Sequence, residues 1–186
     1  TVQETDQWGC TGDRDTLDIE ITPDITTINP VGDLDPCVDE DSVQYSVFPS
    51  PGATFYWSLL GDGTIIQNDS TETILVNWGA AGISSISVQE VSGILCQGDT
   101  VTTTITIRPN PSSTTINGPD NTCYGDSTLY YITPSDPDYT YTWTLYNNPI
   151  QSGQGTDSLM AGLWTTTGQD TLTVFTTTPY DCYSDT

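Results

Sequence analysis

The sequence predicts an all-β chain of tandem antiparallel sandwiches of the immunoglobulin-like kind, repeating about every 86 residues. Three observations carry that expectation. The first is a fixed step: Cys37, Trp57, Trp78 and Cys96 return 86 positions later as Cys123, Trp143, Trp164 and Cys182, and Cys96 stepped back gives Cys10. A period of this size is the mark of a repeat array. The second is composition along the chain, where runs of Thr, Val, Ile, Tyr and Trp are broken every eight to twelve residues by Gly, Pro, Asn or Asp. The third is alternation: Ile86 and Val88 share one face with Ser85 and Ser87 on the other, and Ile105 and Ile107 alternate with threonines.

The step divides the chain. Residues 1–23 read as the C-terminal strands of a preceding repeat, 24–109 as a complete sandwich, and 110–186 as a second repeat lacking its last strand. Val2-Gln3-Glu4 returns as Val88-Gln89-Glu90, and Tyr45 falls on Tyr131. Leu17, Ile19 and Ile21 alternate with Asp18, Glu20 and Thr22, which predicts a strand with one wet face. In the complete repeat, strands are expected near 25–29, 43–48, 54–60, 63–67, 72–78, 83–91 and 100–108. Trp57 and Trp143 sit where a sandwich places its central aromatic strand and are expected in the cores, against a disulfide. Gly61-Asp62-Gly63 and Asn147-Asn148-Pro149 read as hairpin turns. Pro109-Asn110-Pro111 reads as a short, stiff joint between repeats.

Charge and cysteine usage bound the function. The net charge is −23, with Arg14 and Arg108 the two cations and no lysine or histidine. Such a chain repels phosphate backbones, which excludes nucleic acid as a partner. No apolar run is long enough for a membrane span, and no segment reads as a signal peptide. A unit of about 86 residues buries a marginal core, so a covalent staple would help it. Cys37 and Cys96, and likewise Cys123 and Cys182, lie 59 residues apart, without a Cys-x-x-Cys pair or histidine to complete a zinc site. One disulfide per repeat is the simplest account, Cys37–Cys96 and Cys123–Cys182, with Cys10 joined to a residue outside the fragment. It would be worth roughly 4 kcal/mol in the chain-entropy model and implies an oxidising, extracellular setting. Buried free thiols in a reducing compartment are the alternative.

Catalysis is not expected. The usual nucleophile and base pairs need histidine, lysine or a free cysteine, and a carboxylate pair of the glycosidase type would seldom be copied into every module. The densest acidic cluster, with Asp33, Asp35, Asp39 and Asp41, is a candidate calcium site at the inter-repeat joint, with a solvated loop as the alternative. It lacks the glycine and terminal glutamate of an EF-hand. No cofactor is required by any of these residues.

Short motifs in fixed order carry a resemblance. Tyr56-Trp57-Ser58 with Gly61-Asp62-Gly63, Tyr141-Thr142-Trp143, Val76-Asn77-Trp78-Gly79 with Gly82, the run Ser152 to Ser158, and the Cys-x-Gly-Asp ending recur along nearly the whole chain. The pattern resembles the PKD-like, immunoglobulin-like repeats of large Bacteroidota cell-surface adhesins, including gliding-motility proteins exported by the type IX secretion system. The resemblance implies sandwiches strung as a stalk or adhesive filament, without catalytic residues. Asn147-Asn148-Pro149 replaces the Gly-Asp-Gly turn in the second repeat, so a ligand shared at that turn is not expected. The triplet Asp-Ser/Thr followed by an apolar residue or Thr resembles the O-glycosylation motif of the same bacteria. It marks Thr16, Ser42, Ser70, Thr100, Ser127, Ser158 and Thr171, seven matches where composition alone would give about two or three. An Asp ending a turn before a Thr-led strand would produce the same triplets.

Three functions follow as expectations. The first is a structural stalk or adhesive segment of an extracellular, cell-surface-attached protein, non-catalytic, whose partners are the neighbouring repeats and a surface polysaccharide or other cell-surface protein. The alternative is a carbohydrate-binding module using exposed tyrosines concentrated in the last repeat: Tyr124, Tyr130, Tyr139 and Tyr146, with Tyr180 and Tyr183. The third is self-assembly, residues 15–22 of one chain completing the open edge of another by strand addition.

Overall fold

The computed structural model describes residues 1–21, 24–67, 70–161 and 164–184. The chain opens with an exposed hairpin, β1 (Val2–Thr5) against β2 (Thr11–Asp15). The strand expected over Leu17, Ile19 and Ile21 does not form in the described residues 16–21, and those three side chains are exposed. Alternation makes an extended segment suitable for a sheet, but a strand also needs a neighbour for its N–H and C=O groups. No pairing reaches this segment among the described residues.

The first sandwich follows as β3 (Val31–Gly32), β4 (Val43–Ser46), β5 (Thr54–Leu60), β6 (Gly63–Ile65), β7 (Thr73–Trp78), β8 (Gly82–Val91) and β9 (Val101–Ile107). One sheet has the order β3-β4-β7-β6 and the other β5-β8-β9, all pairings antiparallel. Six of the seven expected strands are thus present. The expected strand at 25–29 is absent: Thr27 is buried there, and its hydroxyl accepts the Glu90 N–H at 3.3 Å, so this segment packs through a side chain rather than a ladder. Tyr45, Phe55, Trp57, Ile74, Val76, Trp78, Ile86, Val88, Ile105 and Ile107 fill the space between the sheets. Burying an aromatic or branched side chain of this kind is worth about 1.5–3 kcal/mol. The Trp78 indole donates to the Tyr45 hydroxyl (3.1 Å), which itself donates to the Asp33 carbonyl (2.6 Å), so the polar ends of both rings are satisfied. Burial of the Tyr45 phenol, despite the Trp78 hydrogen bond, pushes its pKa well above the usual tyrosine value.

The second sandwich comprises β10 (Thr115–Asn117), β11 (Thr128–Thr133), β12 (Thr140–Leu145), β13 (Ile150–Ser152), β14 (Ser158–Ala161) and β15 (Leu172–Thr177). Its sheets are β10-β11-β14-β13 and β12-β15. Ile132, Tyr141, Trp143 and Leu159 form its core. Here the 86-residue frame slips. Tyr45 is 1% exposed, whereas Tyr131 is 46% exposed and Tyr130 takes the inward place, its ring facing Gly118 as that of Tyr45 faces Gly32. In a strand, a shift of one residue moves a side chain to the opposite face.

Candidate functional site

The best-built feature outside the two cores is the joint between them. Residues 34–38 run beside the end of β9: Thr106 N–H donates to Leu34 O (2.9 Å), Arg108 N–H to Pro36 O (2.7 Å), and Val38 N–H to Arg108 O (2.9 Å). This ladder fixes Arg108 at the end of the first sandwich. Its guanidinium donates to Asp35 Oδ1 from Nε (2.8 Å) and Nη2 (2.5 Å) and lies 3.9 Å from the centre of the Tyr180 ring. A partly exposed cation on an aromatic face contributes about 0.5–1 kcal/mol, and a half-exposed ion pair about as much or less. One of the chain's two cations therefore sits where two acidic modules meet.

Tyr180 is held by a turn at the end of β15. Thr178 N–H donates to Cys182 O (2.9 Å), and the Thr178 hydroxyl accepts the N–H of Tyr180 (3.3 Å) and of Cys182 (3.1 Å). Asp181 takes a positive φ of 60° to close the turn, and Tyr183 stacks on Phe175 with ring centres 5.2 Å apart. Cys182, fully buried, is bonded to Cys37 across the joint, with Cα atoms 5.5 Å apart.

This bond corrects the expected pairing within each repeat. Cys37 lies beside the start of β8, since Asp39 N–H donates to Gly79 O at 3.2 Å, whereas Cys96 lies past its end, its carbonyl accepting the Ser92 N–H at 2.9 Å. The intervening ten-residue strand spans roughly 30 Å, and a disulfide requires Cα atoms within about 7 Å. The two cysteines of one repeat stand at opposite poles and cannot meet; the facing poles of successive repeats can. The disulfide accordingly lies at the joint, not against Trp57 or Trp143, although both tryptophans are buried as expected. Cys10 and Cys123 are exposed thiols.

The calcium candidates are not brought together. Asp33 Oδ1 accepts the Asp35 N–H (2.9 Å), Asp35 is engaged by Arg108, and Asp39 and Asp41 are exposed. Among the described residues no three acidic or cysteine side chains gather in a way that would hold a metal ion. Asp33 and Glu40 instead line a cleft at the joint with Asn110, Tyr180, Asp181 and Tyr183.

A second cleft, of about 530 Å³, opens on the second sandwich and is lined by Asp120, Tyr124, Tyr130, Trp164, Asp170 and others. Tyr124 is 71% exposed at its rim. Tyr130 is half-buried and donates to Pro119 O at 3.2 Å. Burial, then the charges of Asp120 and Asp170, raise the Tyr130 pKa. Burial alone would raise that of Asp170, but hydrogen bonds from the Asn148 side chain, the Asn147 and Thr171 N–H groups and the Asn147 side chain outweigh it, and the net direction is downward. Of the four tyrosines expected to bind, only Tyr124 and Tyr130 share this cleft. Tyr139 packs on the second core, and Tyr146 is exposed without lining it.

The O-glycosylation candidates lie mostly in the open. Thr16, Ser42, Ser70, Thr100, Ser127 and Thr171 are exposed, while Ser158 is half-buried and its hydroxyl donates to Asp157 (3.1 Å). Asp69, which precedes Ser70, lies outside the described residues.

Comparison with known proteins bears on these features. A family model described as the PKD-like domain matches residues 23–107 and again residues 109–182. Among curated proteins none matches this chain. One solved structure resembling it is the Bacteroides ovatus mixed-linkage glucan utilization locus SGBP-B in complex with a mixed-linkage heptasaccharide, at 11% identity and a TM-score of 0.33. The overlay covers 82% of this chain and 42% of that one, so the chain spans under half of that protein's length.

Proposed function

We propose that this chain, which belongs to the PKD-like domain family and carries two copies of the domain, is a non-catalytic spacer that holds successive sandwiches in fixed orientation within an exported surface protein. The observation that carries this reading is the Cys37–Cys182 bond across the joint, reinforced by Arg108 between Asp35 and Tyr180. A module whose only task was to bind could hang on a flexible linker. A covalent staple between modules makes sense when relative orientation matters, and it persists only in an oxidising compartment. In this reading the chain is a segment of a cell-surface stalk, and sugars on the exposed Asp-Ser/Thr triplets would keep it soluble and resistant to proteases. Small-angle scattering of the oxidised and the reduced protein tests the reading. The oxidised chain is expected to give a single narrow distance distribution, and reduction to broaden it. An oxidised chain already as flexible as the reduced one would remove the spacer function.

A second reading has one specific observation in its favour. Tyr124 and Tyr130 flank a polar cleft whose rim aromatic Tyr124 has no counterpart in the first repeat, where Val38 stands one period earlier, while Tyr130 takes the place of Tyr45. An aromatic rim above two carboxylates suits a neutral glycan, whose hydroxyls donate to Asp120 and Asp170, and repels an acidic one. A glycan array tests it: binding of neutral glycans that disappears in Tyr124→Ala supports the reading, and an empty array sinks it.

A further inference from the structure

We propose that the Cys37–Cys182 bond is one rung of a recurring cross-link, and that Cys123 makes the same bond to a cysteine presented by a further PKD-like repeat following it. The proposal deepens the spacer reading and rests on it.

Both halves of the bond are built from local structure that recurs in the chain. The half carrying Cys182 is a five-residue turn that occurs three times. In each, the first residue's N–H donates to the cysteine carbonyl: Asp6 to Cys10, Ser92 to Cys96 and Thr178 to Cys182, all at 2.9 Å. In each, its side-chain oxygen accepts the cysteine N–H, at 2.8 Å from Asp6, 3.0 Å from Ser92 and 3.1 Å from Thr178. The residue before the cysteine has positive φ every time: Gly9 at 83°, Leu95 at 68° and Asp181 at 60°.

The half carrying Cys37 is a loop that occurs twice. The Cys37 carbonyl accepts the Glu40 N–H (3.2 Å) and the Cys123 carbonyl that of Asp126 (3.1 Å). Glu40 O accepts Trp78 N–H (2.9 Å) and Asp126 O accepts Trp164 N–H (3.0 Å). Asp39 (φ 58°) and Gly125 (φ 91°) hold the matching positive-φ positions. Every repeat therefore presents one cysteine at each pole, and the bond already formed joins cysteines 145 residues apart, which is the 59-residue spacing within a repeat plus one 86-residue step. Applied to Cys123, which is exposed, the same interval falls in the following repeat. The cleft of Asp33, Glu40 and Asp181 around the existing bond shows that like charge does not prevent it.

Each rung forms from two thiols, which lose two protons and two electrons as one S–S bond is made. The electrons pass by thiol–disulfide exchange to the disulfide of a dithiol oxidoreductase, which leaves as two thiols.

The test extends the full 186-residue chain at its C-terminus with a copy of residues 101–186, placing a second Cys182 turn 145 residues after Cys123. The copy carries Tyr124→Phe and Tyr183→Phe as mass labels on its two cysteine peptides. A second chain is extended instead with a copy of residues 15–109 that carries Cys37→Ser and, as a mass label, Ile94→Val, and it offers the Ser92–Cys96 turn at the same interval. Proteolysis before aspartate isolates every native cysteine in its own peptide, and unreduced mapping reads the links. In both chains the Cys123 peptide is expected to be joined to the cysteine peptide of the added copy, with Cys37 still joined to the native Cys182. Cys123 fully alkylated in both, or joined to the native Cys182, overturns the proposal. The spacer reading is judged separately, by scattering of the unextended chain, and survives if that chain is stiff while Cys123 stays unjoined.

Discussion

Arg108 acts on the joint through geometry more than through charge. Its planar guanidinium donates to Asp35 from two nitrogens while lying on the Tyr180 ring, an arrangement that lysine cannot reproduce. Arg108→Lys is expected to keep the fold and lower stability by about 1 kcal/mol or less, while broadening the NMR signals of residues 178–183; unchanged signals would show that the contact does not order the joint. Asp170 supports the turn it caps. Its pKa is lower folded than unfolded, so its contribution is fully present above the unfolded value, near ~4, and is lost as pH falls through the folded one. Asp170→Asn should therefore lower the urea midpoint of the second sandwich at pH 7, and the gap from the parent chain should narrow as pH falls below the unfolded value. Glu90 is 2% exposed and accepts the Ser50 N–H at 2.9 Å. Glu90→Ala leaves that donor unpaired and is expected to cost about 1–3 kcal/mol, read from the unfolding of the first sandwich.

At the scale of elements, the strands were legible because their two-residue alternation is a direct print of one buried and one wet face. Ile86, Val88, Ile105 and Ile107 were expected inside and are inside. Leu17, Ile19 and Ile21 show the limit of that signal, since alternation does not say whether a partner strand runs alongside. Cysteine pairing failed for a different reason. Equal spacing invites pairing within a repeat, yet spacing carries no information about which pole of the sandwich a residue occupies. Parity does: five strands, β4 to β8, separate Cys37 from Cys96, and an odd number of crossings ends at the opposite pole. The tyrosine cleft was half legible, because Tyr130 sits on β11 at the place of Tyr45, whereas Tyr124 reaches it along a loop whose path no period describes. Trp143, 2% exposed at the centre of the smaller core, gives a prediction at this scale. Trp143→Ala is expected to remove about 3–5 kcal/mol and to unfold the second sandwich ahead of the first, visible as two separated transitions by calorimetry.

For the whole molecule, the two domain copies supply their own cores, and the joint adds order between them. The ring closed by the Cys37–Cys182 bond corresponds in the chain-entropy model to roughly 5 kcal/mol of lost unfolded-state freedom. Cys37→Ser is therefore expected to lower the melting temperature of both sandwiches, whereas a bond confined to one repeat would protect that repeat alone. The same bond decides how the chain bears load. Pulled by its two ends, it passes tension at Cys37 straight to Cys182, and the 145-residue interval between them is bypassed. Roughly 500 Å of contour length is thereby kept out of the tether, whether or not the sandwiches stay folded. A reductant would act as the release on a stored reserve, turning a short strut into a long, compliant line at constant force.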